Sequence, residues 1–295
     1  MSGKGESVSR SLCECMRGCS GNATVVQWAL VGSIRPGSLA HFHRLFPQLV
    51  HAGEQTGGAT RALEAYVGAD NSVIVYARFS DAVAALAHVT GDNSKDGRAG
   101  ANPDTHVDAA GGGGSGGRRM AAPSYLDRFD GCVELKGPAL RVCGARTDRV
   151  CEAMSSSLAV VACASLAGFT RQVTDTGLEV MWTTLATLRS SMADEFSQLC
   201  IEMVGAARSR EGGTQLFEVF ASADGQVQMF ERFDSSAAAL EHLSFFDCDF
   251  AHRWDSCVEA CSPLRVCGAA DEALMAAVAA RGGVRLPRLG GFAHI

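Results

Sequence analysis

The stretch Tyr76-Ala-Arg-Phe-Ser-Asp-Ala-Val-Ala-Ala-Leu-Ala-His-Val89 returns 154 residues later as Phe230-Glu-Arg-Phe-Asp-Ser-Ser-Ala-Ala-Ala-Leu-Glu-His-Leu243. The same register holds without a gap for residues 24–89, which reappear as residues 178–243. A repeat of this length predicts that each copy is one structural unit. Residues kept in both copies serve the unit itself, whereas a residue found in one copy distinguishes that copy from the other.

The repeat extends beyond this ungapped part. Cys132-Val133-Glu134 returns as Cys257-Val258-Glu259, and Leu166-Ala-Gly-Phe169 resembles Leu289-Gly-Gly-Phe292. The first copy carries a Gly-, Asn- and Asp-rich insertion whose composition cannot bury a core, so we expect a flexible surface loop there. The predicted organisation is a disordered tail at 1–23, a first unit at 24–171 with the insertion at 91–122, a linker at 172–177 and a second unit at 178–295.

The composition favours an ordinary globular protein. The 295 residues are 47% hydrophobic and 20% charged, with a net charge of −6, which is typical of a soluble chain of two domains. The negative charge argues against nucleic acid or an anionic membrane as the main partner. The longest apolar run, Leu158–Phe169, is too short to span a bilayer, and no secretory signal is visible, so we expect a cytoplasmic protein.

The chain has twelve cysteines, and their positions predict neither disulfides nor a metal site. Cys132 and Cys143 recur as Cys257 and Cys267, which we interpret as reduced, buried side chains. The Cys-x-Cys-x3-Cys run at Cys13–Cys19 has no matching second half, so it does not predict zinc.

Residue patterns in the second copy predict alternating strands and helices. Apolar residues at three- and four-residue spacing predict the helices, β-branched and aromatic runs predict the strands, and Asp224-Gly225 predicts a hairpin turn. The predicted elements are a strand at Val180–Leu188, a helix at Ser191–Ala207, strands at Thr214–Ala221 and Gln226–Phe233, a helix at Ala237–Leu243, a helical stretch at Asp249–Cys261, a final strand at Leu264–Cys267 and a helix at 271–280. The first copy follows the same plan, except that Pro47 is expected to kink or shorten its first helix.

This order is the βαββαβ arrangement of the ferredoxin-like folds. The sheet of such a unit has one face under its helices and one bare face, which must be covered. Two fused copies can stack sheet against sheet. We therefore predict an α+β fold in which two tandem ferredoxin-like (βαββαβ) units form an intramolecular pseudo-dimeric α+β barrel, so that a monomer is its own pseudo-dimer, with further self-association left open.

The run Phe230–Leu243 is similar to the signature of the antibiotic biosynthesis monooxygenase (ABM) domain family, which has a glutamate, an aromatic residue two positions later and an Ala-Leu-x-x-His helix. Tyr76–Val89 fits the same pattern, except that Ala77 stands where Glu231 stands in the second copy. The family belongs to the dimeric α+β-barrel superfamily, so the resemblance implies that the tandem pair replaces a dimer. Some members oxidise quinols or polycyclic aromatics with dioxygen and without a metal or flavin, whereas relatives degrade haem and many others have no established activity.

The resemblance favours a cofactor-independent monooxygenase that acts on a small aromatic or quinol-type substrate. Because Glu231 is absent from the first copy, we expect the site in the second unit, with a small hydrophobic or aromatic molecule as the partner. One alternative is a non-catalytic ligand-binding or structural pseudo-dimer. The other is haem binding or degradation, for which His242 and Phe245-Phe246 could supply an axial ligand and an apolar slot. Haem-degrading relatives carry an asparagine on the first strand, and neither copy has one there.

Three residues of the second copy are the candidate catalytic groups. His242 recurs as His88 and could act as a general base, since an unperturbed histidine titrates near neutral pH; the alternative is a helix-terminal histidine that binds free carbonyl groups. Glu231 lies on an apolar strand face, where a carboxylate must be paired or must line a pocket. His252 stands three residues before Asp255, so the two could pair and converge with His242 on one pocket.

The candidate substrate-binding residues are aromatic. They are Trp182, Phe230 and Phe246 in the second copy and Trp28 and His88 in the first. The tryptophans recur in the middle of a strand, where an aromatic ring can either stack on a flat substrate or fill the core.

Arg78 and Arg232 recur immediately after Ala77 and Glu231. Because side chains alternate along a strand, Arg232 points away from the face that Glu231 shares with Met229. We therefore predict that both arginines form salt bridges across the sheets or the interface between the units.

Overall fold

The structure is a computed structural model of the chain, and it describes residues 24–90, 129, 131–135, 140–155, 159–171 and 176–294. The predicted N-terminal tail, the glycine-rich insertion, the run Cys13–Cys19 and most of the predicted linker lie outside the described residues. Within the described ranges, no helix is both long enough and apolar enough to cross a membrane.

The first unit begins with a long strand buried on both faces, as a run rich in Val, Leu and Ile favours. Its described elements are β1 (Val26–Ile34), α1 (Leu39–Glu54), β2 (Thr60–Val67), β3 (Ser72–Phe79), α2 (Ala82–Thr90), β4 (Val133–Leu135), β5 (Leu140–Gly144), α3 (Asp148–Ser155) and β6 (Val160–Thr170). This series contains the predicted order βαββαβ.

The second unit repeats the series. Its elements are β7 (Val180–Leu188), α4 (Ala193–Arg210), β8 (Thr214–Ala221), β9 (Gln226–Phe233), α5 (Ser236–Phe245), a π-helical turn (Phe246–Phe250), α6 (Ala251–Cys257), β10 (Val258–Cys261), β11 (Arg265–Gly268), α7 (Glu272–Ala279), β12 (Val284–Leu286) and β13 (Arg288–Ala293).

All these strands belong to one nearly closed, barrel-like sheet. The hydrogen-bonded path runs β12-β11-β7-β9-β8-β6-β5-β1-β3-β2-β13, with β10 paired to β7 and β4 paired to β1. Only Pro287 separates β12 from β13, so this segment joins the second unit's sheet to that of the first. The predicted pseudo-dimeric α+β barrel is therefore confirmed.

The two units also exchange their last strands. β6 of the first unit pairs in parallel with β5 and antiparallel with β8 of the second unit. β13 of the second unit pairs antiparallel with β2 of the first unit. The outer edge of β8 is thus paired with a strand of the first unit, and the outer edge of β2 with a strand of the second, so neither of these two edges is left open.

Three sequence predictions need correction. Helix α1 is not shortened at Pro47 but continues to Glu54. Pro47 removes the amide partner of the His43 carbonyl, and both residues lie on the exposed side of the helix. The stretch predicted as a helix at Asp249–Cys261 ends at Cys257 and continues as strand β10, which pairs with β7. The strand predicted as the final one is followed by β12 and β13.

The buried residues form two kinds of layer. On its outer face each sheet packs against its own helices, and Trp28, Phe42 and Phe79 are fully buried there in the first unit. The inner faces of both sheets meet in a shared core that includes Tyr76 of the first unit and Phe230 of the second. The repeated cysteines Cys132, Cys143, Cys257 and Cys267 are buried and form no disulfide among the described residues, as predicted.

Candidate functional site

Trp182 and Glu231 are directly opposite each other on the paired strands β7 and β9. Both side chains lie on the outer, helix-facing side of the second unit's sheet, and both are buried, with 1% and 4% of their surface exposed. The indole Nε1 of Trp182 donates a hydrogen bond to Oε2 of Glu231 at 2.5 Å. The strand register therefore supplies Glu231 with its first partner.

His242 supplies the second partner. It lies near the end of α5, whose start is fixed by the Ser235 hydroxyl accepting a hydrogen bond from the Ala238 amide. Its Nε2 lies 2.9 Å from Oε1 of Glu231. Its ring is also enclosed by aromatic side chains, including Phe217 in an edge-on arrangement.

The other ring nitrogen of His242 contacts a second carboxylate. Its Nδ1 lies 2.9 Å from Oε2 of Glu211, the residue that follows helix α4. The Thr214 hydroxyl donates to the same carboxylate oxygen at 2.5 Å. The buried site is therefore a chain of the form Glu211–His242–Glu231–Trp182.

The two carboxylates determine the charge of the histidine. Burial alone would lower the pKa of His242, but its hydrogen bonds to Glu211 and Glu231 and their negative charges raise the pKa to about 9. Burial opposes the ionisation of Glu211, yet the hydrogen bond and charge of His242 hold the pKa of Glu211 below its usual range. His242 is thus an imidazolium at neutral pH with both N–H groups engaged. The base role expected from an ordinary histidine pKa does not fit this geometry.

A cavity of about 350 Å³ opens beside this chain. The sheet supplies Trp182, Thr184, Met229 and Glu231, and α5 supplies His242 and Leu243. The remaining wall consists of Phe246, Trp254, Asp255, Cys261, Ser262, Pro263, Leu264 and Arg281. The π-helical turn that begins at Phe246 lies in this wall, and such turns are frequent at functional sites.

The first unit has the same aromatic framework around its own histidine. The His88 ring centroid lies 4.9 Å from Phe79 and 6.5 Å from Trp28, compared with 5.1 Å and 6.1 Å for the corresponding pairs of His242. The two histidines are therefore structural counterparts.

The first unit lacks both carboxylates. Ala77 stands in place of Glu231, and Gly57 stands in place of Glu211. Burial therefore lowers the pKa of His88 to about 4, so its ring is neutral near pH 7. Trp28 is opposite Ala77 in the strand register, and its buried Nε1 has no hydrogen-bond partner among the described residues.

The structure brings four of the predicted site residues together at the cavity, namely Glu231, His242, Trp182 and Phe246. It does not bring Phe230 there, because alternation along β9 places this ring on the inner face, 5.5 Å from Tyr76. Trp28 lies in the core of the first unit, and the half-buried His88 packs against it with its ring centroid 6.5 Å away.

His252 is also outside the cavity. Trp254 faces the core from the same helix, α6, and two residues correspond to about 200° around a helix, so His252 points to solvent. Asp255 lines the cavity, but no hydrogen bond or ion pair joins it to His252 within the described structure.

Sequence reasoning missed Glu211. A glutamate at the end of a helix is usually exposed to solvent. Because Glu211 stands directly before the Gly212-Gly213 turn, nothing in the sequence indicated a buried site for it. The signal that could have identified it is its replacement by Gly57 in the register of the repeat, because the same copy also loses Glu231.

Two solved structures resemble this chain over most of its length. One is a Lactobacillus acidophilus protein named "putative monooxygenase", with a TM-score of 0.55 and 10% identity over 92% of this chain and 97% of that one. The other is a Fusobacterium nucleatum protein of the same name, with a TM-score of 0.54 and 11% identity over 81% and 90%. No family model matches the chain, and no curated protein gives a significant match. At these identities the likeness concerns the fold alone.

Proposed function

We propose that the second unit is a monooxygenase that uses dioxygen to oxidise a small aromatic or quinol-type substrate without a metal or flavin. The observation that carries this proposal is the buried chain Glu211–His242–Glu231 at the wall of an aromatic cavity. Its two carboxylates are present in the second unit and absent at the matching positions of the first.

The shape of the cavity supports a flat, apolar substrate. Its volume of about 350 Å³ is at the small end of the range for ligand sites. Trp182, Phe246 and Trp254 contribute aromatic surface, and rings of this kind pack in offset or edge-on arrangements against a flat ligand. A substrate of one or two fused rings fits this space better than a larger polycycle.

Glu231 is the group that we assign to the substrate hydroxyl. Each of its oxygens already accepts one hydrogen bond, from His242 or Trp182, and retains a lone pair that can accept another. A phenolic or enolic hydroxyl bound there would be aligned and polarised toward its oxyanion. The His242 cation offsets the negative charge that develops on the substrate, as preorganised charges do in active sites.

The reaction needs no external reductant. The substrate hydroxyl gives its proton to Glu231, and the resulting oxyanion gives two electrons to dioxygen as a new C–O bond forms. The peroxide takes that proton back from Glu231. The hydroperoxide then loses water, made from its terminal OH group and the hydrogen of the same carbon, to leave a carbonyl group. One oxygen atom enters the product and the other leaves as water. The protein supplies the cavity, a proton acceptor in Glu231 and a fixed cation in His242.

The geometry argues against haem ligation by His242. An axial histidine must offer an unprotonated ring nitrogen to the iron. Both nitrogens of His242 are held at 2.9 Å by carboxylates, and its pKa is raised to about 9. Binding haem there would require breaking one of these buried ion pairs.

The test is oxygen uptake by the purified full chain with a panel of naphthols and quinols, with ¹⁸O₂ used to follow the oxygen atom. We expect one labelled atom in the product, and loss of turnover in Glu231→Ala and His242→Ala. His41→Ala serves as the matched control because His41 is an exposed histidine of α1.

Three results would contradict the proposal. Unchanged turnover in His242→Ala or Glu231→Ala would remove the site from the reaction. Binding of an aromatic compound without oxygen uptake would favour a non-catalytic binding protein. A Soret shift with hemin that is lost in His242→Ala would favour haem.

A further inference from the structure

Arg171 of the first unit lies against the end of helix α4 in the second unit. It directly follows β6, the strand that pairs with β8, and its backbone amide donates a hydrogen bond of 2.7 Å to the carbonyl of Gln215. Its guanidinium packs over the ring of Phe169, with 5.1 Å between Cζ and the ring centroid. The exchanged strand therefore brings a half-buried cation to the other unit.

The guanidinium binds the backbone carbonyl groups at which α4 ends. Nη1 of Arg171 donates to the carbonyls of Glu211 and Thr214, at 2.6 and 2.7 Å, and also lies 3.0 Å from that of Gly212. Nη2 donates to the carbonyl of Arg208 at 2.8 Å. The last carbonyl groups of a helix have no partner within the helix, so a cation is well suited to bind them. One side chain thus fixes the backbone on both sides of Glu211.

Glu211 is the residue that this turn presents to the charged site. Its side chain is 5% exposed, and its Oε2 lies 2.9 Å from Nδ1 of His242. Burial opposes the ionisation of Glu211, but its hydrogen bond to His242 and the charge of that ring lower its pKa, and the charge of Arg171 adds to this effect. Arg171 therefore acts on Glu211 through the backbone and through its charge.

The first unit lacks this arrangement. The register of the two tails, in which Leu166–Phe169 matches Leu289–Phe292, puts His294 in the position of Arg171. The backbone amides of both residues donate to the neighbouring strand in the same way, but the side chain of His294 is exposed. The turn beside it contains Gly57, which stands where the second unit has its glutamate. The arginine is thus present where there is a carboxylate to place, and absent where there is none.

We propose that Arg171 is a positioning residue through which the first unit holds Glu211 against His242 and so completes the site of the second unit. The inference rests on the proposed function where it concerns turnover, whereas the charge of His242 can be measured without a substrate. It gives the first unit, which lacks both carboxylates, a part in the site. An arginine that served only to stabilise α4 would leave the charge of His242 as it is.

The test is the pKa of the His242 ring in Arg171→Met, measured by NMR titration of the full chain. If Glu211 loses its place, one of the two carboxylates that favour the imidazolium moves away, and the pKa of His242 should fall by about half a unit or more. Loss of the arginine charge alone acts in the opposite direction, because removing a nearby cation favours the imidazolium. A fall therefore reports the position of Glu211 and not the charge of Arg171.

Two further proteins test the same point. Arg171→Lys keeps the charge, but one ammonium group cannot replace the planar fork that reaches several carbonyls, so the pKa of His242 should fall here as well. When Arg171→Met is introduced into Glu211→Gln, it should produce no further fall, since the carboxylate that it positions is already gone.

Arg208→Ala is the matched control. The Arg208 guanidinium also packs over the ring of Phe169, with 5.3 Å between Cζ and the ring centroid. It donates to the carbonyl of Gly168, at 3.0 Å, and not to the turn that carries Glu211. This variant therefore removes an arginine from the same junction and should leave the pKa of His242 unchanged.

Turnover gives the second readout. With a substrate from the naphthol and quinol panel, Arg171→Met should lower kcat by on the order of tenfold and move the alkaline limb of the pH–rate profile to lower pH. An unchanged or raised pKa of His242 in both Arg171→Met and Arg171→Lys, or a further fall in the Glu211→Gln background, would overturn the proposal. A lowered pKa in Arg171→Met, together with a wild type that consumes no oxygen, would contradict the proposed function alone and would still support the positioning role.

Discussion

Arg78 of the first unit and Glu218 of the second form a buried ion pair, with 2.6 Å between Nη1 and Oε2. The reciprocal pair, Arg232 with Glu64, has the same shortest distance. The arginine on the third strand of each unit therefore binds the glutamate on the second strand of the other. This reciprocity explains why the repeat keeps both residue types, since a single unit would leave them without these partners.

We expect these pairs to be essential for the association of the units. Arg78→Met should lower the free energy of unfolding by about 3–5 kcal/mol, because it leaves Glu218 buried without its main counter-charge. Replacing both partners, as Arg78→Met with Glu218→Leu, should cost less than the sum of the single changes. Urea unfolding of the four proteins of this double-mutant cycle measures the difference.

An exposed ion pair provides the control for this cycle. Arg210 and Asp249 are 3.2 Å apart, with 55% and 42% of their side chains exposed. Arg210→Ala should change the free energy of unfolding by less than about 1 kcal/mol. If the changes in the free energy of unfolding for Arg78→Met and Glu218→Leu are strictly additive, the contact between the two residues does not couple the units.

The sequence predicted the two-unit barrel because the signal is local and occurs twice. Strand alternation also placed the side chain of Arg232 on the other face of the sheet from that of Glu231. This placement led to the predicted salt bridge at the interface between the units. The exchange of β6 and β13 was not predicted, since the tails resemble each other only through Leu166-Ala-Gly-Phe169 and Leu289-Gly-Gly-Phe292. Nothing in such short segments specifies which distant strand edge they join.

The candidate site could be predicted only in part, for a related reason. The spacing of residues identified Glu231 and His242, which lie on one strand and one helix of the repeated motif. Glu211 reaches His242 from the end of another helix, across 31 positions of sequence. The charge of His242 depends on that tertiary contact, so a residue-by-residue reading assigned it an ordinary pKa.

The raised pKa of His242 should make stability depend on pH. In the folded state its pKa is about 9, whereas an unfolded chain has a value near the usual 6.5. The stabilisation is therefore complete below about pH 6.5 and is lost as the pH rises through about 9, amounting to about 3 kcal/mol. Urea unfolding of the wild type and of His242→Gln between pH 6 and 10 should show this loss in the wild type only. Parallel pH curves for the two proteins would contradict the assignment.

Glu211→Gln should lower the pKa of His242 while leaving Glu231 in place. The change removes one of the two charges that favour the imidazolium, so the pKa should fall by about one unit or more. If the ion pair of His242 and Glu231 serves turnover, the alkaline limb of the pH–rate profile should shift to lower pH by the same amount. Glu202→Gln is the matched control, because Glu202 is an exposed carboxylate on α4 that binds Arg253. An alkaline limb that does not move would separate Glu211 from the chemistry.

Ala77→Glu should give the first unit a carboxylate at the position that corresponds to Glu231 in the second unit. Ala77 is opposite Trp28 as Glu231 is opposite Trp182, so the introduced carboxylate should accept the indole N–H of Trp28 and approach His88. The pKa of His88, which burial lowers to about 4, should then rise by at least about one unit, since a nearby negative charge favours the imidazolium. An NMR titration of the His88 ring gives this value directly. Ala77→Gln offers Trp28 the same acceptor without the charge and should leave the pKa of His88 low. Equal pKa values in the two variants would show that the charge state of these histidines is not set by the carboxylate on the paired strand.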